Sequence, residues 1–308
     1  MSASFASALA AAREAASPQH YPQGALYMVA TPIGNLADIT LRALHVLQLA
    51  DVVACEDTRH TQALLRAYGI DRPGAQLLAL HQHNEAQAAQ AVVERLRQGQ
   101  RVAYVSDAGT PGVSDPGARL AAAVQAAGLP LVPLPGASSV TTVLSVAGAV
   151  ENSADAGGFV FAGFLPVKAA ERAAAVQQLA HEPRAVVLLE APHRIEELAQ
   201  ALAALGPRPV TLGRELTKQF EQIATLPAQD ISAWLAAQPQ RTRGEFALVL
   251  HPAAQAAQAD DGLRVLQLLL AELPLKSAVK LAADITGAAR NGLYEAALRL
   301  RQDGETPG

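Results

Sequence analysis

Charged and hydroxyl-bearing residues gather in a few short segments, several of which follow a Val- or Leu-rich run. The densest is SDAGTPGVSDPG at 106–117, with three glycines and two prolines among Asp107, Gly109, Thr110 and Asp115. That much Gly and Pro makes a stiff, irregular backbone rather than a simple reverse turn. Asp107 could accept hydrogen bonds from ribose hydroxyls or meet a cationic ligand group. A structural turn with Asp107 and Asp115 as caps fits the spacing too. PGASS at 135–139 starts a helix at Ser138 and Ser139. Free N–H groups and hydroxyls there can bind a carboxylate, or simply cap the helix. In ATPIGNLADIT at 30–40, Pro32 fixes a turn and Gly34 lets backbone approach a ligand. CEDTRHT at 55–61, LLEAPHRI at 188–195 and LGRELTKQFE at 212–221 set Asp57, Arg59, Glu190, Arg194, Arg214, Glu215 and Lys218 at strand ends. A solvated rim is the ordinary reading of any one of these charges.

Other chemistries lack their residues. The chain has no G-x-G-x-x-G, no G-x-x-x-x-G-K-[ST] and no G-x-S-x-G. It therefore lacks the usual dinucleotide fingerprint, a P-loop and a nucleophile elbow. His81 and His83 form an H-x-H without further ligands, so no metal is expected. Cys55 is the only cysteine, which excludes an internal disulfide and fits a reducing compartment. The formal charge of −4 argues mildly against a uniformly basic nucleic-acid surface, but not against local patches. Residues 1–24 have no basic start and no continuous apolar core, so they read as a short helix or a disordered extension. No apolar run approaches the ~18 residues of a membrane span, and a cytoplasmic protein is expected.

The elements that must carry these segments follow from periodicity. Apolar runs at 26–30, 52–55, 76–80, 102–105 and 130–134 alternate with amphipathic stretches. Asp38 is placed to cap the helix after the first run, and Gly99 to end the one from Asn84. This alternation predicts a mainly parallel sheet covered on both faces. A Gly-, Ala- and Ser-rich stretch beginning at Ser145 could connect to a second set of strands at 159–164, 185–190, 209–215 and 245–251. Helices from about Lys168, Ile195 and Asp230 separate those strands. Residues 251–262 read as a linker. The tail has two amphipathic helices, 276–284 and 288–301, joined like a helix-turn-helix. From 264 to 301 six basic residues, including Lys276, Lys280 and Arg290, oppose three acidic ones. RNA docking and a helical cap or dimer contact explain that tail equally well. The expected divisions are an extension at 1–24, an α/β domain at 25–147, a second at 148–252 and a helical domain at 262–303.

Taken in order, MVATPIGNLADITLRAL, CEDTRHT, HQHNE, YVSDAGTPGVSDPG, PGASS, FAGFLP, LLEAPHRI, GRELTKQFE and RGEFALVL resemble the tetrapyrrole-methylase superfamily. They resemble most closely its ribosomal RNA small-subunit methyltransferase I family, over about residues 26–251. The resemblance implies two α/β domains with the active site in the cleft between them, plus a small C-terminal helical domain. It implies a homodimer that transfers a methyl group from S-adenosyl-L-methionine to a cytidine ribose 2′-hydroxyl of 16S rRNA, near the decoding centre. It implies cofactor contacts at Pro32, Ile33, Gly34, Asp107, Gly109, Thr110, Ser138 and Ser139, and second-domain backbone near Leu189, Gly213 and Ala247. Ser106-Asp107-Ala108 departs from the superfamily's Gly-Asp-Pro, as in its RNA-directed branch. Ribose deprotonation would fall to Asp57, Glu190 or Glu215. Arg59, Arg194, Arg214 and Lys218 would orient phosphate or ease that deprotonation, and Lys276, Lys280 and Arg290 would hold RNA. A methylase of a tetrapyrrole or another small molecule would share the cofactor site. A non-enzymatic RNA-binding module is the remaining alternative, and retention of SDAGTP and PGASS speaks against it.

Overall fold

The computed structural model describes residues 5–81, 84–149, 158–253 and 258–304. The chain opens with α1 (Ala6–Ala16), whose Ala12 and Ala16 are buried in the same core cluster as Leu44 and Leu47. Strand and helix then alternate: β1 (Leu26–Val29), α2 (Leu41–Leu49), β2 (Val52–Cys55), α3 (Thr58–Ala67), β3 (Leu77–Ala79), α4 (Glu85–Arg97), β4 (Val102–Val105), α5 (Gly117–Ala126), β5 (Leu131–Leu134) and α6 (Ser139–Ala147). Asp38 does not cap α2. Thr40 does so, its hydroxyl accepting the Ala43 N–H at 3.1 Å, because a 3-10 turn capped by Asn35 occupies 36–38.

The five strands form one parallel sheet in the order β3-β2-β4-β1-β5. Every residue of β2 and β4 is buried, which is why both read as unbroken apolar runs rather than alternating ones. From the adjacent central strands β1 and β4 the chain leaves in opposite directions, to β2 on one side and β5 on the other. Their carboxyl ends therefore border a topological switch point, where such sheets bind ligands.

The second sheet takes β6 (Phe159–Gly163), β7 (Ala185–Glu190), β8 (Pro209–Arg214), β9 (Gln222–Pro227) and β10 (Phe246–Leu250) in the order β6-β7-β10-β8-β9. The helices α7 (Ala169–Leu179), α8 (Ile195–Leu202) and α9 (Ile231–Ala236) connect its strands. Unlike the first sheet it is mixed: β10 is antiparallel to β7 and β8, and β9 is antiparallel to β8. β9 was not among the expected strands. It lies at the sheet edge with alternating exposure, so QIATLP carries no continuous apolar run. The two sheets are joined by α6: its Val140, Val143 and Ala147 pack on Val187, Leu216, Ala247 and Val249.

Three helices close the chain: α10 (Gln258–Glu272), α11 (Leu275–Thr286) and α12 (Arg290–Gly304). They share a core of Leu266, Ala278, Ala282, Leu293 and Ala297. The segment expected to be a linker at 251–262 is thus already helical from Gln258, while 254–257 and the connection at 150–157 lie outside the described residues. No helix among the described residues is long and apolar enough to cross a membrane.

Gly117, the first residue of α5, shows how tightly the 106–117 loop is built. A Cβ there would stand 2.5 Å from Tyr104 Cε1 and 2.6 Å from Asp115 Oδ1. Gly117→Ala is expected to cost about 1–3 kcal/mol, as overpacking does, and to lower the thermal midpoint. An unchanged midpoint would mean the Tyr104 ring moves aside without penalty.

Candidate active site

The carboxyl ends of β1, β2, β4 and β5 deliver the expected segments to one place. Thr31, just after β1, and Gly109, in the loop after β4, exchange backbone hydrogen bonds of 3.0 Å in both directions. The loop is held from within by Asp115. Its carboxylate accepts the N–H groups of Gly112 at 2.7 Å and Gly117 at 2.8 Å and the Tyr104 hydroxyl at 3.0 Å. Burial, reinforced by the Asp115 charge, pushes the Tyr104 phenol well above its usual range, so it stays a donor. Thr110 ties the loop to the PGASS segment through its hydroxyl, which donates to the Ala137 carbonyl at 3.0 Å.

Asp107 leaves the loop toward Glu56, the residue after β2. The Asp107 N–H donates to Glu56 Oε1 at 3.1 Å, and Asp107 Oδ1 accepts the Asp57 N–H at 3.3 Å. Burial raises the Glu56 carboxyl above its usual value. The Asp107 N–H opposes that shift, and the charges of Asp107 and Asp115 add to it. Glu56, Asp107 and Asp115 thus form an acidic wall. Glu56 was missed in the sequence in favour of its neighbour Asp57. Asp57 is instead the N-cap of α3, accepting the N–H groups of Arg59 at 2.8 Å and His60 at 3.3 Å. Those bonds, the Arg59 N–H first, hold its carboxyl below the usual range. Its partner Arg59 is 91% exposed. The neighbouring Cys55 thiol is pushed up to about 11 by burial and is no nucleophile at neutral pH.

Ser138 caps α6 without a side-chain hydrogen bond to its first turn, so the helix N-terminus retains free donors. Opposite stand the ends of β7, β8 and β10. The cleft between has two contiguous parts of about 270 and 300 Å³, sharing Ala108, Ser114, Ser139, Phe164 and Leu189. Of the expected cofactor contacts, Ile33, Asp107, Gly109, Thr110, Ser138, Ser139, Leu189, Gly213 and Ala247 line it. Pro32 is buried behind it, and Gly34 is exposed but not part of its lining, with the Lys218 side chain packed where a Cβ would stand. A wider surface groove of about 790 Å³ between α4 and α5 carries none of the expected site residues.

Lys218 lines the second part of the cleft. Its Nζ lies 2.8 Å from Glu215 Oε1 and 2.9 Å from Glu245 Oε2. Glu215 and Thr217 adopt left-handed backbone conformations, φ 52° and 67°, which cost strain in non-glycine residues. Thr217 repays the contact across the molecule by accepting the Asn35 N–H at 3.1 Å. Burial works to raise the Glu215 carboxyl, but Lys218 and the Glu245 N–H outweigh it and the result lies below the usual value. Burial likewise disfavours charge on Lys218, but the two carboxylates outweigh it and its pKa lies above the usual one. A depressed carboxyl contributes stability above its unfolded value near ~4.3 that is lost as pH falls through the folded value. A raised amine contributes stability below about 10.4 that is lost as pH rises through its folded value. Thermal midpoints should therefore be supported by this cluster from about pH 5 to about pH 10, and Glu215→Gln should shallow the acid limb. An identical acid limb in the variant would remove Glu215 from that balance.

Arg214 and Arg194 do not face solvent as expected. Arg214 is only 6% exposed, since its Nε donates to the Arg243 carbonyl at 2.6 Å and Nη1 to that of Phe220 at 3.2 Å. It braces the turn after β8 rather than presenting itself to phosphate. Arg194 Nε lies 3.2 Å from Glu190 Oε1, behind the cleft wall that Glu190 itself lines. In the tail Lys276 and Lys280 are exposed on α11, while Arg290 pairs with Asp284 at 2.7 Å. Among the described residues no group of His, Cys, Asp and Glu could hold a metal ion, and His83 lies outside them.

An acidic wall suits a cationic centre, a free helix N-terminus suits a carboxylate, and the shelf of Leu189, Gly213 and Ala247 suits a flat, largely apolar ring. The residues present therefore fit S-adenosyl-L-methionine, which carries all three features. A family model of tetrapyrrole (corrin/porphyrin) methylases matches residues 25–232. The chain belongs to the tetrapyrrole methylase family. The methylase also matches, at 255–301, the model of the RsmI C-terminal HTH domain. It is similar to ribosomal RNA small subunit methyltransferase I of Escherichia coli O157:H7, 46% identical over 280 residues, covering 90% of this chain and 95% of that one. The protein of the same name from Neisseria meningitidis serogroup B is 47% identical over 279 residues, covering 89% and 93%. Among solved structures the methylase resembles the cobalamin biosynthetic enzyme cobalt precorrin-4 methyltransferase, with a TM-score of 0.55 at 20% identity over 76% of this chain and 98% of that one, a likeness of fold. The methylase is an enzyme, a methyltransferase.

Proposed function

We propose that the methylase transfers a methyl group from S-adenosyl-L-methionine to the 2′-hydroxyl of a cytidine ribose in 16S rRNA, near the decoding centre. It acts on the small ribosomal subunit, in the cytoplasm, as a homodimer. One observation carries this reading. The acidic, serine-lined cleft sits in a chain that aligns over 90% of its length with a ribosomal RNA methyltransferase.

The cofactor, when bound, supplies a sulfonium methyl already activated for in-line displacement. Asp107 and the acidic wall hold the cationic portion, Ser138 and Ser139 its carboxylate, and Ile33, Gly109, Thr110, Leu189, Gly213 and Ala247 shape the rest. Pro32 and Gly34 act indirectly by setting the turn that carries Ile33. Lys218, kept cationic by Glu215 and Glu245, orients the incoming ribose–phosphate and stabilises negative charge on the 2′-oxygen as its proton passes to solvent water in the open cleft. Asp57 and Glu215 serve as a helix cap and an anchor for Lys218. Arg59, Lys276 and Lys280 are exposed cations available to the RNA backbone.

The fold likeness to a precorrin methyltransferase favours a second reading, a tetrapyrrole substrate. Labelled methyl transfer separates the two. The rRNA reading expects label in 30S subunits and none in a porphyrin precursor, and the reverse pattern overturns it.

A further inference from the structure

Phe164 follows β6 in the FAGFLP segment. It is 51% exposed, in a chain with only six phenylalanines, and it borders both parts of the cleft. Glu190 ends β7, the parallel strand next to β6, and lines the cleft beside it, yet its side chain is 0% exposed. Its Oε1 accepts the Ala191 N–H at 2.9 Å, while Oε2 is buried without a hydrogen-bond partner. A buried polar oxygen with no donor is costly, and in a binding cleft the natural source of the missing donor is the ligand. Arg194 couples the two residues. Its Nε lies 3.2 Å from Glu190 Oε1, and its Nη2 donates at 2.5 Å to the carbonyl of Leu165, the residue after Phe164. One guanidinium thus ties the backbone beside Phe164 to the carboxylate that carries the unpaired oxygen.

We propose that Phe164 and Glu190 form a receptor for a nucleobase bearing an exocyclic amino group, the Phe164 ring stacking on the base and Glu190 Oε2 accepting an amino N–H. Exposed aromatics are the platforms on which unstacked bases are held, and they accept any base face. The carboxyl supplies the selection. Glu and Asp accept from the cytosine amino group, whereas uracil presents a carbonyl at that position and would leave Glu190 unpaired. Arg194 is a positioning residue for both. The inference rests on the methyl-transfer reading, under which two ligands carry this chemistry: the adenine of the cofactor and the target cytosine.

The test uses Phe164→Ala, Phe164→Trp and Glu190→Gln in the full-length chain, with thermal midpoints as a folding check. One arm measures affinity for S-adenosylhomocysteine and for its inosine analogue, which lacks the amino group, by calorimetry. The other measures kcat/KM on 30S subunits with cytidine or uridine at the methylated position. Phe164→Ala is expected to lose about fivefold to about a hundredfold in one arm, and Phe164→Trp to restore it. Glu190→Gln is expected to shrink amino-group discrimination in that same arm. The arm affected identifies the base. Phe164→Ala within about twofold of wild type in both arms overturns the receptor, as does a Glu190→Gln effect confined to the other arm. Wild-type inactivity on 30S subunits would instead defeat the rRNA reading, and the calorimetric arm would then decide the receptor alone.

Discussion

Lys218→Ala is expected to lower kcat by about 10²- to 10³-fold, the usual loss when one preorganised donor to developing negative charge is removed. Affinity for S-adenosylhomocysteine should change little, because the lost interaction forms with the reacting oxygen and not with the cofactor. The expectation rests on placement. Lys218 lines the cleft, is fastened by Glu215 at 2.8 Å and Glu245 at 2.9 Å, and those carboxylates keep it charged at neutral pH. Its raised pKa also makes it a poor base, so it stabilises charge rather than removing the proton. Lys218→Arg should retain part of the activity. A matching fall in cofactor affinity, or an intact kcat, would make Lys218 a structural clasp over Gly34 and nothing more.

Asp107→Ala should weaken S-adenosylhomocysteine binding by about 10- to 100-fold, corresponding to the ~1.5–3 kcal/mol of a hydrogen bond to a charged group. Asp107 is exposed toward the cleft, and its own backbone is pinned by Glu56 while its Oδ1 receives the Asp57 N–H. Removing the carboxylate deletes a ligand acceptor and also frees that N–H. Asp107→Asn, which keeps an acceptor for it, separates the two effects and should lose less. Calorimetry on both variants checks this, and an affinity equal to wild type would exclude Asp107 from the cofactor site.

The first sheet was legible because strands buried on both faces leave unbroken apolar runs, and its ligand loops because they follow those runs directly. β9 was not legible, since an edge strand with one wet face looks like loop. The site was half legible. Glu56 and Asp57 are adjacent, and only the start of α3 at Thr58 shows that Asp57 is consumed as a cap while Glu56 turns to the cleft. That signal was present, since Asp directly before a helix is a capping pattern. The burial of Arg214 had no such signal: its acceptors, the carbonyls of Phe220 and Arg243, come from the turn after β8 and the loop before β10. The closure of Lys218 over Gly34 joins segments far apart in sequence and belongs to tertiary packing alone.

The most direct measurement is mass spectrometry of 16S rRNA nucleosides and fragments from a strain lacking this gene. Loss of one ribose-methylated cytidine near the decoding centre is expected, restored by the wild-type gene and not by Asp107→Ala. An unaltered ribose-methylation pattern in the deletion strain would contradict methyl transfer to 16S rRNA.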